Sequence, residues 1–306
     1  MLESPEKFKR SLQEALSEFL WRQWRSLGIA AYGAGTDQVI DLEALILATT
    51  VVAGQEKRLW DAARHWLQLF REWVSLSRLK HMASTFTQLD PVVNIPLIDK
   101  LKWETLLSVL MPAHLSRKDA EDVRRAGQLI SPLRLKDKSL VQLCLRGIFG
   151  LNARAELFLY LLANGEGNSN QIARETQYDQ KNVYLILERW AETGFVTREK
   201  YGKQNLYSLA GGKNLMPDIK KADLFWEWPP FFVLFSRLYV ATHHEPWAND
   251  GYLLSSLFRD LHPQAVRIVK SLGRPMPDPV LYPGEEYFVP GSQALLGLLA
   301  DNSIVA

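Results

Sequence analysis

Six histidines and one cysteine are the side chains in this 306-residue chain with the most to offer a metal or a covalent intermediate. His65, His81, His114 and His262 stand alone, and His243-His244-Glu245 is the single local cluster. Adjacent helix positions point about 100° apart, so neighbouring histidines do not share one metal ion. The sequence has no HExxH and no second cysteine, and neither a metal nor a cofactor is expected from it. Cys144 lies between Leu143 and Leu145, which reads as an inert, buried thiol. Gly33-Ala34-Gly35 lacks the following Lys-Ser/Thr of a phosphate loop, and no Gly-x-Ser-x-Gly occurs. No catalytic residue stands out. An enzyme reading would rest on chain length alone.

What remains is charge and aromatic surface. The chain carries 36 Lys and Arg against 34 Asp and Glu, for a net charge of +2. Residues 1–115 are balanced at 13 and 13, residues 116–149 hold 8 basic and 4 acidic, and residues 150–197 hold 4 and 6. Residues 198–221 hold 6 basic and 2 acidic, and residues 222–306 hold 5 and 9. Two basic stretches thus flank a mildly acidic one, a modest version of the pattern that attracts polyanions. Trp21, Trp24, Trp60, Trp66 and Trp73 recur at helical spacing. Such a stripe is either core or an aromatic pocket for an apolar small-molecule effector. Trp226, Trp228, Phe231 and Phe232 flank two prolines, and either dock the last segment onto the rest or form a dimer surface.

The elements that must position these groups are mostly helices. Phe8, Leu12, Leu16, Phe19, Leu20 and Trp24 predict an amphipathic helix over residues 5–27. Asp41 predicts the cap of a buried apolar helix over 42–52. Further helices are expected from Leu59 to Trp73 and over 77–86, 98–110 and 116–130. A basic connector turns helical near Lys138, and later helices are expected at 230–241, 249–260, 263–271 and 292–300. The best membrane candidate, Ala44–Ala53, has ten residues, against the ~20 of a membrane-spanning helix. With no apolar leader and one cysteine, the expectation is a cytoplasmic protein with no membrane segment.

Residues 154–209 carry the most information. Leu157, Phe158, Leu161 and Leu162 face inward on one helix, and Asn164–Asn168 turns. Ser169 is expected to cap a short helix with Ile172 and Ala173 inside. After the turn Thr176–Tyr178, Asp179 caps a third helix with Val183, Ile186, Leu187 and Trp190 on its inner face. Gly194 stops it. Two short strands follow, Phe195–Thr197 onward and Asn205–Leu209, joined through Gly202.

The stretch SNQIARETQYDQKNVYLILERWAETGFVTRE…YSL resembles the DNA-binding core of the bacterial MarR/ArsR-like winged-helix superfamily. The matching positions are Ile172-Ala173, Val183, Leu187, Gly194-Phe195-Val196, Tyr207 and Leu209. The resemblance covers residues 154–209 only, and together with the helices read on either side it predicts a mostly α chain in three parts. These are an all-helical domain (1–132), a winged helix-turn-helix with a two-stranded wing (133–212), and a helical Pro- and aromatic-rich segment (213–306).

It also implies double-stranded DNA as partner. Gln180, Lys181, Asn182 and Tyr184, at the start of the third helix, would enter the major groove. Gln and Asn can pair bidentately with adenine, and Lys can reach guanine acceptors. Asn170 and Gln171 open the preceding helix, whose free N–H groups could hold a phosphate. Arg198, Lys200, Lys203 and Gln204 place the wing on the backbone. Where family recognition helices begin with Ser and Thr, this chain has Asp179 and Asn182, and Glu188 and Glu192 make the helix acidic toward its end. The implied role is a transcription regulator, for which symmetric DNA binding would need a homodimer. The alternative is a protein-interaction adaptor whose winged helix binds no DNA.

Overall fold

The computed structural model describes residues 4–111, 130–211, 227–271 and 274–300. The helix expected over 116–130, along with His114 and Trp226, falls outside these residues. Only Ile130 of that stretch is described, paired with Ile29 in an isolated antiparallel bridge.

Five helices open the chain: α1 (Pro5–Ser26), α2 (Leu42–Val52), α3 (Lys57–Phe70), α4 (Leu76–Thr87) and α5 (Lys100–Leu110). Helix α1 starts where Ser4 Oγ accepts the Lys7 N–H at 3.2 Å and Pro5 takes the first position, where a missing N–H costs nothing. Its buried face is the one that the apolar spacing indicates. Helix α2 is buried at every position from Leu42 to Val52, and so reads as a continuous apolar run rather than a stripe. Three helices close the chain: α10 (Trp228–His243), α11 (Gly251–Ser271) and α12 (Phe288–Ala300).

These closing helices share one hydrophobic cluster with α1–α5. Phe8 packs edge-on to Phe258 at 5.2 Å and to Phe288 at 6.0 Å, and Phe19 lies 5.2 Å from Phe231. Arg22 Nη2 donates to the Leu299 carbonyl at 2.7 Å. The tryptophan stripe is core. Trp24 and Trp66 are fully buried and meet at 5.6 Å, and their indole N–H groups reach Thr49 Oγ1 (2.9 Å) and the Leu27 carbonyl (2.8 Å). Each indole thus contributes its apolar area without leaving a buried donor unpaired.

Two expectations are corrected. The helices expected at 249–260 and 263–271 are one helix, α11, which runs through Pro263. Proline removes one backbone hydrogen bond, but Leu254, Leu257, Phe258 and Leu261 before it and Ala265, Ile268 and Val269 after it bury against the same core. That packing holds both halves in line. Cys144 is half-buried rather than buried.

Between the two halves of this helical body runs a second unit with its own core. It comprises α6 (Val141–Phe149), α7 (Ala153–Asn164), β1 (Glu166–Gly167), α8 (Ser169–Thr176), α9 (Gln180–Glu192), β2 (Val196–Tyr201) and β3 (Gln204–Leu209). The strands form an antiparallel sheet in the order β1-β3-β2. The chain is therefore mostly α with one small sheet, the layout of a winged helix-turn-helix set in a helical protein.

Strand β1 was not legible as a strand, because two residues are too few to show alternation. Its Gly167 is required sterically. A Cβ there would lie 2.9 Å from Tyr160 Cε1 and 3.0 Å from Ile172 Cγ1. The missing side chain lets β1 lie against α7 and α8.

Candidate nucleic-acid interface

Helix α8 begins one residue earlier than its sequence suggests. Asn168, not Ser169, is the cap, and its Oδ1 accepts the Gln171 N–H at 2.9 Å. Ser169 instead receives Gln180 Nε2 on its hydroxyl at 3.2 Å, a bond that ties the start of α8 to the start of α9. Helix α8 ends in Gln177, which adopts the left-handed conformation at φ 63°. Glycine usually takes this role, because other residues meet a Cβ penalty there. Here Gln177 Nε2 donates to the Arg174 carbonyl at 2.7 Å, which satisfies one of the carbonyls that a helix end leaves open.

Asp179 then caps α9 as expected, its Oδ1 accepting the Asn182 N–H at 3.0 Å. Val183, Ile186 and Leu187 are buried, and Trp190 is half-buried against Phe149 and Phe195. Gln180, Lys181, Asn182 and Tyr184 are all exposed at the N-terminal end of α9. Asn170 is exposed at the start of α8 and Gln171 is half-exposed, its amide 3.5 Å from Glu175.

The wing is a two-residue hairpin. Tyr201 pairs with Gln204 around Gly202-Lys203, and Gly202 alone has positive φ, the requirement of a type II′ turn. Lys200, Lys203 and Gln204 are exposed on it. Arg198 is not free. Its Nη1 donates to Glu188 Oε2 on α9 at 2.6 Å, and Tyr207 gives its hydroxyl proton to Glu188 Oε1 at 2.5 Å. Burial, together with that carboxylate, pushes the Tyr207 phenol up to about 12. Glu188, Arg198 and Tyr207 thus bind the wing to the third helix. All ten candidate residues lie at exposed or half-exposed positions on α8, α9 and the wing, with Arg198 paired to Glu188.

A family model described as "Sugar-specific transcriptional regulator TrmB" matches residues 145–210. The matched segment runs from within α6 to the end of the wing and is a winged helix-turn-helix. It covers about a fifth of the chain. No curated protein and no solved structure shows a significant match.

Sequence reasoning missed what holds this unit to the helical body. Five charged side chains meet at the seam, all from otherwise buried surroundings: Asp41, Glu43, Arg78, Arg146 and Glu156. Arg78 forks onto Asp41 (Nη1–Oδ1 2.7 Å, Nη2–Oδ2 2.6 Å), reaches Glu43 Oε2 at 2.7 Å and donates Nε–H to the Thr176 carbonyl at 2.9 Å. Arg146 spans Glu43 and Glu156 with four bonds of 2.5–2.9 Å and donates a fifth to the Trp73 carbonyl at 2.7 Å. Glu43 Oε1 also accepts the Ser75 N–H at 2.8 Å, and Tyr178 reaches Glu156 Oε2 at 3.3 Å and Ser75 Oγ at 3.2 Å.

Burial penalises the charges of Asp41, Arg78 and Arg146, and the opposite charges beside them outweigh it. Asp41 stays below the ordinary carboxylate range because of Arg78. Arg146 is raised above its usual value by Glu156 and Glu43. The signal for this cluster was present in the sequence. Glu43 in LEALILATT and Arg146 in VQLCLRGIF are lone charges in apolar helices, and Glu156 shares RAELFLYLL with Arg154 alone; a charge buried there needs a partner.

Among the described residues, no group of three His, Cys, Asp or Glu side chains could hold a metal ion. No described helix is long and apolar enough to cross a membrane.

Proposed function

We propose that this protein is a DNA-binding transcription regulator in which α9 enters the major groove and the wing rests on the backbone. The observation that carries the reading is the solvent-facing start of α9. Gln180, Lys181, Asn182 and Tyr184 project together from a capped helix end beside an exposed wing with Lys200 and Lys203. Transcription regulation is also how the family matched over residues 145–210 is described. Gln180 and Asn182 would read adenine, Lys181 guanine, and Lys200, Lys203 and the start of α8 would hold phosphates. Two copies would read half-sites ~34–36 Å apart.

One observation favours the adaptor reading. Tyr184, Leu185 and Tyr201 are exposed apolar side chains on the same unit, and the Arg198 charge is already paired. Fluorescence anisotropy with a mixed-sequence duplex at two salt concentrations separates the two. Three free lysines per copy predict that log K falls with log salt at a slope of about −2.7, and about twice that for a dimer. Absence of binding at low salt by folded protein would leave the adaptor reading standing.

A further inference from the structure

A cleft of about 750 Å³ opens where the loop after α1 faces the connector that enters the winged unit. Small-molecule sites span ~300–1,000 Å³. The loop is the glycine-rich segment around Gly33-Ala34-Gly35, and it is pinned in one shape. Arg25 Nη1 donates to the Tyr32 carbonyl, and Ser26 Oγ accepts the Thr36 N–H at 2.8 Å. A Cβ on Gly35 would lie 2.3 Å from that Ser26 oxygen, so the missing side chain lets the loop close over the end of α1. The connector is stitched to the loop where Ser131 N–H meets the Gly28 carbonyl at 2.8 Å.

The cleft gathers polar groups that the fold leaves uncommitted. Among the described residues, the N–H groups of residues 31–35 have no acceptor. Arg134 and Lys136, on the facing connector, are exposed and have no ion pair among the described residues. Arg25 lines the cleft as well. Its side chain is 6% exposed, its Nη2 is held by Glu18, and its buried Nε has no acceptor among the described residues. The cations that the sequence lacks after Gly35 thus come from a connector about 100 positions on. Two carboxylates, Asp37 and Asp137, share the lining and are likewise without an ion pair among the described residues. Tyr32, between the lining residues Ala31 and Gly33, holds its ring fully in solvent.

These groups decide the ligand class. Free N–H and cationic donors suit a phosphate. A bare anion would meet Asp37 and Asp137 with nothing to give them, since ionised carboxylates only accept. The ligand therefore carries donors beside its phosphate, as ribose hydroxyls and the N–H groups of a base are. An exposed ring on a pinned loop offers a plane on which a base can stack. We infer that the cleft binds a nucleotide. Its phosphate sits on Arg134, Lys136 and the loop N–H groups, its donors face the two carboxylates, and its base lies on Tyr32. None of the cleft residues belongs to α8, α9 or the wing, so the assignment stands apart from the DNA-binding reading.

The test is isothermal titration calorimetry of the full chain with AMP, GMP, CMP and UMP. At least one should bind, at one site per chain. Inorganic phosphate and the parent nucleoside each satisfy only part of the lining, and each should bind at least about tenfold more weakly. The double variant Arg134→Gln, Lys136→Gln removes two charge-assisted partners and should weaken the best nucleotide about 100-fold. Tyr32→Ala should weaken it about tenfold. All three side chains are exposed, so the unliganded Tm of either variant should stay within about 2 °C.

The assignment is overturned if none of the four nucleotides binds. It is overturned too if the double variant binds as tightly as the native chain, which would move the nucleotide to the lysines of the winged unit. Inorganic phosphate or ribose 5-phosphate binding as tightly as the best nucleotide would leave the base without a role and overturn the nucleotide class. A ten-residue oligothymidylate that binds more tightly than every mononucleotide, and loses as much in the double variant, would make the cleft a groove for single strands and overturn the small-molecule assignment.

Discussion

Replacing Arg146 with methionine tests the seam most directly. All five guanidinium N–H directions are used, on Glu43, Glu156 and the Trp73 carbonyl. Methionine keeps the apolar stem and removes the charge. Glu43 would retain Arg78 and the Ser75 N–H, but Glu156 would keep only the Tyr178 hydroxyl, at 3.3 Å. Both carboxylates are 0–1% exposed, so water cannot replace the lost partner. Breaking a buried pair from one side costs about 3–5 kcal/mol, most of it from the charge left behind. An unfolding entropy of ~2.1 cal/mol/K per residue gives ~0.6 kcal/mol/K for 306 residues. A chain that unfolds as one unit should therefore lose about 5–8 °C in Tm. Lys100→Met is the control, since Lys100 and Glu104 meet at 3.8 Å on the exposed surface, and it should stay within about 0.5 kcal/mol. Adding Glu156→Gln to Arg146→Met should restore part of the loss by removing the orphaned charge. Urea and thermal unfolding measure all three. If Arg146→Met behaves like the control, or the double variant is no better than the single one, the reasoning about the seam is wrong.

Other outcomes follow from the same geometry. Asp179→Ala removes the cap of α9 and should lower stability by about 1 kcal/mol in urea unfolding. Lys203→Ala, at the exposed wing turn, should weaken DNA binding about equally on all sequences and reduce the salt slope by about one, read by anisotropy. Asp41 has a folded pKa below its unfolded ~3.9. Its contribution is therefore complete above that value and is lost as pH falls through the folded pKa. Asp41→Asn should accordingly be clearly less stable than the native chain at pH 7, and the gap should narrow in melts taken below about pH 4.

The winged helix was legible because its evidence is local. Asp179, Val183, Ile186 and Leu187 state a cap and an inner face within nine residues, and Gly194 and Gly202 mark the two reversals that the chain makes. The buried run of α2 and the inner face of α1 were legible for the same reason. What escaped was set by distant partners. Asn168 takes the cap, and Ser169 instead accepts from Gln180, eleven positions on. Pro263 reads as a break, and only packing on both sides keeps α11 continuous. Arg198 reads as a phosphate contact, and only the fold shows Glu188 beside it. The seam joins residues about 100 positions apart, such as Glu43 and Arg146, and no spacing rule reaches that far.

The seam also bears on how a central winged helix can be controlled. An apolar junction tolerates small slides, because dispersion contacts are not directional. A guanidinium fork does not, since Arg78 must meet both oxygens of Asp41 and the Thr176 carbonyl together. Thr176 ends α8, where unpaired carbonyls and the helix dipole concentrate negative charge. Arg78 therefore grips the one point of the helix-turn-helix that precedes its turn. The entrance to the winged helix is held as well, with Ile40 N–H on the Ser139 carbonyl at 2.9 Å and Leu42 N–H on Gln142 Oε1 at 3.0 Å. Helix α4 thus carries the grip on α8 at Arg78 and, one to two turns on, lines a surface cleft with Met82, Thr85 and Phe86. A displacement of α4 within the body would be delivered to the start of α9 rather than absorbed at the junction.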